Sequence, residues 1–235
     1  MKKRSIILSI LTVALISFNS WSQIKAQGVK WDESYSFNKC NNFQIEFYAR
    51  NNELMRTGKY QTCYQSDGEN FVVRTITEVR GMGIETVIDK KNNVAIQIFG
   101  TGGGAKPTYN AGGFKYPDET ELKKLDLVPT LETKLILGLN CKKYTYTYKK
   151  IFGEVWITDQ VTISNDLGVF RACKMAALHN TLSVPGFVME MTTEDAKGGK
   201  TLMKTLSLMN DEKYIVDLKG VEMSKAINKV NYYIF

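Results

Sequence analysis

The sequence predicts a mainly β protein of the α+β class: an open or half-closed antiparallel sheet with one or two covering helices. Short segments with apolar residues at alternate positions, the pattern of half-buried strands, recur along the chain. Clusters of Gly, Asn and Asp separate these segments at hairpin spacing. The four cysteines form an even set, which in an exported chain favours disulfides over metal binding or catalysis.

The N-terminus is typical of a cleavable export signal. Positive charges at residues 2–4 precede an apolar run over residues 5–18, and the small residues Ser20 and Ser22 place the cleavage site after Ser22. The run is shorter than the roughly 18 residues that span a bilayer, and no second such run follows. We therefore expect a protein exported to the periplasm or the medium, with no transmembrane segment after signal cleavage. A retained N-terminal anchor is the alternative.

The sequence predicts a signal peptide over 1–22, a single β-rich domain over 23–221 and an uncertain C-terminal tail over 222–235. The formal net charge of the full chain is +7, and three of its positive charges belong to the signal, which leaves +4. These charges are scattered, whereas nucleic-acid binders concentrate them in a stripe. We expect no nucleic-acid partner.

The first predicted hairpin yields a disulfide. An alternating strand begins at Phe43, and Asn51–Asn52 supplies the turn, because Asn tolerates the positive φ that hairpin turns require. With this turn, Cys40 lies directly opposite Cys63, and cross-strand Cβ atoms about 4.5–5.5 Å apart are close to disulfide reach. We therefore predict the disulfide Cys40–Cys63. Elimination then leaves Cys141–Cys173.

The following segments predict an antiparallel meander, because consecutive strands are joined by short turns. Its strands are Phe71–Val79, Ile84–Ile88 and Val94–Phe99. A glycine-rich loop over 100–117 then leads to a short helix opened by Pro117. A second helix is predicted over 165–178, after the N-cap residue Ser164.

Strands resume around this second helix. The predicted strands are Lys134–Leu139, Lys142–Tyr148, Glu154–Thr158 and Tyr214–Leu218. Between the last two lies a predicted hairpin whose first arm begins at Phe187 and whose second arm ends at Met209. If Gly198–Gly199 forms the loop of this last hairpin, Met191 lies opposite Leu206 and Met189 opposite Leu208.

Two motifs carry a family resemblance. They are Ile136-Leu137-Gly138-Leu139-Asn140-Cys141-Lys142-Lys143-Tyr144 and Val155-Trp156-Ile157-Thr158-Asp159. They resemble an uncharacterised exported bacterial family with the patterns Ile-x-Gly-Tyr-x-Cys-x-x-Tyr and Val-Trp-[Val/Ile]-Thr-[Asp/Lys]. The chain departs from the family at Leu139, where Tyr is usual, and it lacks a Pro in the closing strand.

This family is similar in fold to periplasmic lipoprotein carriers and receptors. The resemblance implies a curved, half-closed antiparallel sheet with helices on its concave side and an apolar interior able to hold acyl chains. It implies no catalytic residues, and we assign none.

The last hairpin predicts the ligand-lining residues. Its arms carry flexible or branched apolar side chains, which adapt to irregular apolar partners. These residues are Phe187, Met189, Met191, Leu202, Leu206 and Leu208. An ordinary sheet core explains the same pattern without a ligand.

A second candidate is a surface aromatic patch. Tyr144, Tyr146 and Tyr148 share one face of a predicted strand, where they would stack on sugar rings or line a groove. Cross-strand aromatic packing is the alternative explanation.

No catalytic constellation stands out. His179 is the sole histidine, which leaves little for a triad or a zinc site, and there is no Gly-x-Ser-x-Gly elbow. Gly100–Lys106 lacks the Ser or Thr and the helix of a phosphate loop. The carboxylates Asp89, Glu154 and Asp159 form no evident acid–base pair. We expect no cofactor and no metal.

The functional hypothesis is therefore an exported, non-enzymatic binding protein for a lipid, an acyl chain or another apolar ligand of the cell envelope. The alternative is a structural or protein-interaction module with a solid core and an envelope protein as partner. An enzyme acting on glycans or peptides is the third reading.

Overall fold

The computed structural model describes residues 29–66, 70–77, 83–101, 106–115, 127–148, 150–161, 163 and 184–227. These residues form fourteen strands. The first seven are β1 (Ser34–Phe37), β2 (Lys39–Tyr48), β3 (Leu54–Tyr64), β4 (Asn70–Thr75), β5 (Gly83–Asp89), β6 (Val94–Thr101) and β7 (Thr108–Gly113). The others are β8 (Val128–Ile136), β9 (Leu139–Tyr148), β10 (Ile151–Thr158), β11 (Phe187–Glu194), β12 (Lys200–Met209), β13 (Tyr214–Asp217) and β14 (Glu222–Ile227).

The predicted fold class is wrong. The described residues are all-β, and they contain no helix that covers the sheet. The large sheet is also mixed rather than antiparallel, because β14 pairs with β7 in the parallel sense. The predicted helices that begin at Pro117 and span 165–178 lie outside the described residues, as does the predicted signal peptide.

Twelve strands form one sheet in the order β14-β7-β6-β5-β4-β3-β2-β12-β11-β10-β9-β8. The hairpin β2–β3 therefore occupies its centre. Chain-consecutive strands extend outward on one side as far as β7, and β12 to β8 follow in reverse chain order on the other. Within the described ranges no helix is long and apolar enough to cross a membrane.

The predicted disulfide at the centre of this sheet is confirmed. Cys40 pairs with Cys63 in the register of β2 and β3, and their sulfur atoms are bonded. Both side chains are buried. The turn has Asn52 at φ 63°, as the sequence required, and a bulge near Tyr48 absorbs the difference between the predicted and the observed loop.

One face of β2–β7 is covered by the small sheet β1–β13. The apolar cluster between them joins both cysteines to buried side chains of six further strands, and its contributions from the small sheet include Tyr35, Phe37 and Val216. Strands β4, β5 and β6 each contain runs of three or four consecutive buried residues, so both of their faces are shielded.

A buried polar contact ties the small sheet to the large one. The Tyr35 hydroxyl donates to Asp89 Oδ2 over 2.9 Å, and Asp89 also accepts from Asn92 in the β5–β6 turn. Both Tyr35 and Asp89 are almost fully buried. Burial, reinforced by the neighbouring Asp89 carboxylate, raises the pKa of Tyr35 far above its ordinary value.

The second apolar cluster occupies the opposite face of the central strands and continues across β12, β11, β10 and β9. It includes the stacked rings of Phe43 and Tyr60, whose centroids are 5.4 Å apart. Met203 of β12 lies opposite Ile45 of β2 and extends this core past the centre of the sheet.

The disulfide yields a stability prediction. The double variant Cys40→Ala/Cys63→Ala should lose about 2–4 kcal/mol of unfolding free energy, because the cross-link closes a loop that the unfolded chain otherwise leaves open. Urea denaturation measures this loss. The wild-type protein under reducing conditions should show the same decrease, and an unchanged midpoint in the double variant would contradict the prediction.

Buried tyrosines yield a pH prediction. The folded-state pKa of Tyr35, Tyr146 and Tyr214 lies above the ordinary value near 10, chiefly because of burial. Their contribution to the unfolding free energy is therefore intact below about pH 10. It is lost as the pH rises further, because the unfolded chain then releases protons that the folded chain retains. The unfolding free energy, measured by denaturation at several pH values between 8 and 11, should show this decline. Its fall with pH should be shallower for Tyr35→Phe than for the wild type.

Candidate ligand-binding site

The predicted ligand-lining residues of β11 lie in the core. Phe187, Met189 and Met191 are 3%, 0% and 2% exposed. The void bordered by Phe187 and Met203 measures about 10 Å³, which is room for one water molecule at most. Packing within the sheet therefore accounts for the burial of these methionines.

The predicted register of the β11–β12 hairpin is wrong. Met191 lies opposite Met203, three positions from the expected Leu206. The loop is longer than two residues: Asp195 N donates to Gly199 O, and the Asp195 carboxylate accepts from the amides of Lys197 and Gly199. An odd shift in register moves side chains to the opposite face of the sheet.

The three predicted leucines of β12 therefore separate. Leu202 lies opposite Glu46, on the face away from the methionines, and is partly buried. A bulge between Thr205 and Ser207 leaves Leu206 out of the pairing with β2, and its side chain is 43% exposed. Leu208 is partly buried and packs against the second apolar cluster.

A second backbone irregularity exposes another leucine nearby. Ile136 pairs with Leu139, so Leu137 and Gly138 form a two-residue turn between β8 and β9 with φ of 51° and 80°. A left-handed conformation costs a residue with a Cβ roughly 1–2 kcal/mol. Leu137 nevertheless occupies it and remains 51% exposed.

These leucines meet in one open cavity of about 420 Å³, which we call the leucine cavity. Among the described residues, its lining contains five aliphatic side chains, three neutral polar ones and no charged one. The lining residues are Leu137, Leu139, Gln160, Val161, Leu206, Ser207, Leu208 and Asn210. The volume lies within the range of small-molecule sites, and the composition suits an uncharged apolar ligand.

A larger cavity of about 690 Å³ lies at the opposite end of β12. It is lined by apolar and charged side chains, among them Phe47, Met55 and Ile151 beside Arg56 and Lys200. Both cations are engaged: the Arg56 guanidinium lies 4.2 Å from the centroid of the Phe47 ring, and Lys200 Nζ lies 3.1 Å from Asn52 Oδ1. We call it the basic cavity.

The predicted tyrosine patch is largely internal. Tyr146 is 3% exposed, and its hydroxyl donates to the Thr192 carbonyl over 3.4 Å, passing over Gly153 of the intervening strand. Tyr144 is partly buried against the second apolar cluster. Tyr148 pairs with Ile151 through the backbone, and the burial of its side chain lies outside what the structure describes.

The three carboxylates singled out in the sequence, Asp89, Glu154 and Asp159, have separate surroundings. Asp89 is held by Tyr35, Glu154 forms an ion pair with Lys143 over 2.9 Å, and Asp159 is exposed. In the ranges that the structure covers, no group of three or more His, Cys, Asp or Glu side chains is placed to bind a metal. His179 lies outside the described residues.

Cys141 is buried, and it forms no disulfide with any residue that the structure describes. Burial raises its pKa, an effect opposed by the nearby Lys134 ammonium. Its predicted partner Cys173 lies outside the described residues, so this second pairing stays a prediction.

No protein-family model and no curated protein matches the chain. Among solved structures, it is similar to PNGF-II in the C2 and P21 space groups, with 17% and 18% identity and TM-scores of 0.41 and 0.43. These matches cover 80% and 82% of this chain but only 31% and 32% of the PNGF-II chains, so this chain spans about a third of their length.

A DUF1329 family protein from Desulfovibrio piger ATCC 29098 is a further structural neighbour. It has 10% identity and a TM-score of 0.22, and the match covers 86% of this chain and 90% of that one. The resemblance drawn from the two sequence motifs stays a hypothesis.

Gly153 yields a prediction about the tyrosine cluster. A Cβ at this position would overlap the Tyr146 ring and the Thr192 carbonyl. Gly153→Ala should therefore lower the unfolding free energy by roughly 1–3 kcal/mol, the usual cost of overpacking. Phe152→Ala, at the exposed neighbouring position, should change it by no more than about 0.5 kcal/mol. Thermal denaturation of both variants tests this prediction. Equal thermal midpoints for the two variants would contradict it.

Proposed function

We propose that this protein binds a lipid, acyl chain or similar apolar molecule without transforming it, and that the leucine cavity holds the ligand. The observation that carries this proposal is the convergence of exposed leucines on one cavity whose described lining contains no charged side chain. Exposed apolar surface that gathers in a concavity marks interaction sites more often than scattered apolar residues do.

The backbone supports the same site. A bulge places Leu206 outside the strand pairing, and a left-handed conformation places Leu137 at the turn. The bulge interrupts regular strand pairing, and the left-handed conformation of Leu137 is energetically unfavourable. Such backbone features cluster where function requires a particular side-chain position. Both also place a leucine in the lining of the same cavity.

We propose an extracytoplasmic location for this activity. The Cys40–Cys63 disulfide supports it, since disulfides persist in oxidising compartments, and the signal-like N-terminus points the same way. The cell envelope supplies lipids and acylated molecules as potential ligands.

A protein-interaction module is the second candidate. Edge strand β8 supports it, because Val128, Leu131 and Leu135 are 58%, 102% and 68% exposed. An edge strand with apolar side chains is a template for pairing with another chain. The leucine cavity and β8 share no lining residue, so variants separate the two functions.

The binding proposal is tested with decanol, a neutral chain that matches the uncharged lining. Leu206→Lys places a charge in the cavity and should weaken decanol binding by at least about tenfold. The apolar chain of decanol would displace water from the Lys ammonium without replacing its hydrogen bonds. Leu135→Lys, at a more exposed leucine outside the cavity, should leave the affinity within about twofold. Competition with a fluorescent fatty acid measures both.

A third variant assigns the cavity. Thr193→Phe fills part of the basic cavity, and Thr192→Phe is its control on the other face of the same strand. If Thr193→Phe abolishes decanol binding and Leu206→Lys does not, the leucine cavity is not the site. Wild-type protein that binds neither decanol nor the fatty acid would refute the function itself.

A further inference from the structure

One edge of the twelve-stranded sheet carries exposed leucines. Strand β8 is last in the strand order, and among the described strands it pairs only with β9. Leu131 and Leu135 of β8 are both exposed. Pro129 has no N–H to donate, and Leu137 begins the turn into β9, so an open segment lies between these two residues. We call residues 131–135 the open edge.

The hairpin with β9 decides which backbone groups of the open edge point outward. In a two-residue hairpin the closing pair is hydrogen-bonded, and hydrogen-bonded pairs then alternate with pairs that are not. Leu135 and Thr133 belong to pairs of the second kind, so their N–H and C=O groups point away from β9. The Asn140 amide opposite Leu135 agrees with this direction. Its N–H donates over 2.7 Å to Gln160, which follows β10 on the far side of β9.

The irregular part of β8 keeps the same direction. The Glu132 N–H donates to the Thr130 hydroxyl over 3.1 Å, and this hydroxyl donates to the Lys143 carbonyl of β9 over 3.2 Å. The Glu132 N–H therefore points toward β9. Because the C=O and N–H of one trans peptide point in opposite directions, the Leu131 C=O points outward. The outward positions of the open edge are Leu131, Thr133 and Leu135.

The side chains of the open edge form a self-complementary pattern. Thr133 is its centre, flanked first by Glu132 and Lys134 and then by Leu131 and Leu135. An antiparallel copy centred on Thr133 therefore places a lysine opposite each glutamate and a leucine opposite each exposed leucine. Opposite charges and apolar side chains that face each other across two strands are stabilising pairs.

The charged face of the open edge is compatible with this pairing. Glu132 forms an ion pair with Lys143 over 3.1 Å, and Lys143 forms another with Glu154 over 2.9 Å. Lys134 forms an ion pair with Glu190 over 2.9 Å. When Lys134 of one copy lies beside Glu132 of the other, the two networks join with charges of alternating sign. No like charges have to face each other across the junction.

We propose that the open edge pairs antiparallel with the open edge of a second copy of this chain, about a two-fold axis at Thr133. The partner is a second copy because a two-fold interface requires a surface that is complementary to itself, and the sequence on either side of Thr133 meets that requirement. The pairing joins the two twelve-stranded sheets into one sheet across both chains.

The backbone excludes the two neighbouring registers. Outward groups also face each other when the axis lies at Leu131 or at Leu135. With the axis at Leu131, Thr133 lies opposite Pro129, which has no N–H for the Thr133 carbonyl. With the axis at Leu135, Thr133 lies opposite Leu137, which is left-handed and belongs to the turn. The axis at Thr133 avoids both.

The dimer should be weak. Only five residues of each chain pair, and interfaces well below about 1,200 Å² belong to weak or transient complexes. The open edge shares no residue with the leucine cavity, so this inference does not rest on the proposed ligand site. It goes beyond the second candidate function by naming the chain that pairs with β8.

Sedimentation velocity of the purified protein, from about 5 µM to about 500 µM, tests the dimer. The wild type should change from monomer to dimer as its concentration rises. Thr133→Pro removes the outward N–H at the axis without removing a hydrogen bond to β9, so it should abolish the dimer and keep the thermal midpoint. Leu135→Lys should weaken the dimer by at least about tenfold, because it replaces two leucine pairs. Leu54→Lys, at an exposed leucine of β3, is the control and should dimerise as the wild type does.

Cysteine cross-linking tests the register. Thr133→Cys places two thiols opposite each other across the axis, close to disulfide reach. Leu131→Cys and Leu135→Cys each place the two equivalent thiols four residue steps apart, about 14 Å. Under mild oxidation, only Thr133→Cys should therefore form a covalent dimer above the wild-type background.

Each contrary result overturns a defined part of the inference. Wild-type protein that stays monomeric over the whole range refutes the dimer and leaves the ligand-binding proposal unaffected. A dimer that survives both Thr133→Pro and Leu135→Lys means that the copies meet elsewhere. Covalent dimers of Leu131→Cys or Leu135→Cys without one of Thr133→Cys refute the register. A dimer with the expected register that binds no decanol refutes the proposed function alone.

Discussion

The register of β2 and β3 is the constraint on which the rest of the fold depends. This hairpin occupies the centre of the twelve-stranded sheet, and the Cys40–Cys63 disulfide fixes it covalently. Side chains alternate between faces from this point outward, so one pairing decides which residues reach the core under β1–β13 and which reach the opposite core. Asn42 and Gln61, two residues along each strand from the disulfide, inherit their alignment from the same pairing.

The leucine cavity departs from what stability alone would select. Two of its leucines, Leu137 and Leu206, are exposed, and each lies at a backbone irregularity. Natural sequences violate local rules of this kind mainly where function requires it, and the surrounding structure supplies the compensation. Here the compensation comes from strands whose two faces are both buried and from a cross-link at the centre of the sheet.

Sequence reasoning succeeded where the structure is local. The Asn51–Asn52 turn carries the information that places Cys40 opposite Cys63, because both arms of the hairpin follow directly from it. It failed at the β11–β12 hairpin, where Gly198–Gly199 suggested a two-residue turn and the Asp195 carboxylate instead organises a longer loop. A bulge such as that at Leu206 leaves no periodic signal in the sequence, and neither does pairing between distant strands. The composition of the leucine cavity could therefore not be predicted from the sequence. Gly138 indicated a break between two strands, but the sequence did not indicate that Leu137 would adopt a left-handed conformation and remain exposed.

The junction of β2 with β12 has a kinetic consequence. These strands meet at the centre of the sheet, yet Asn42 and Ser207, which join them, are 165 residues apart in the chain. Contacts between such distant segments require an entropically costly loop closure before they can contribute favourable free energy. Topologies that rely on such contacts therefore fold slowly. A growing chain can assemble the meander from β2 to β7 early, but that half-sheet keeps an unpaired inner edge at β2 until residue 209 is available. The interval before β12 arrives is therefore the period in which this protein is most exposed to aggregation.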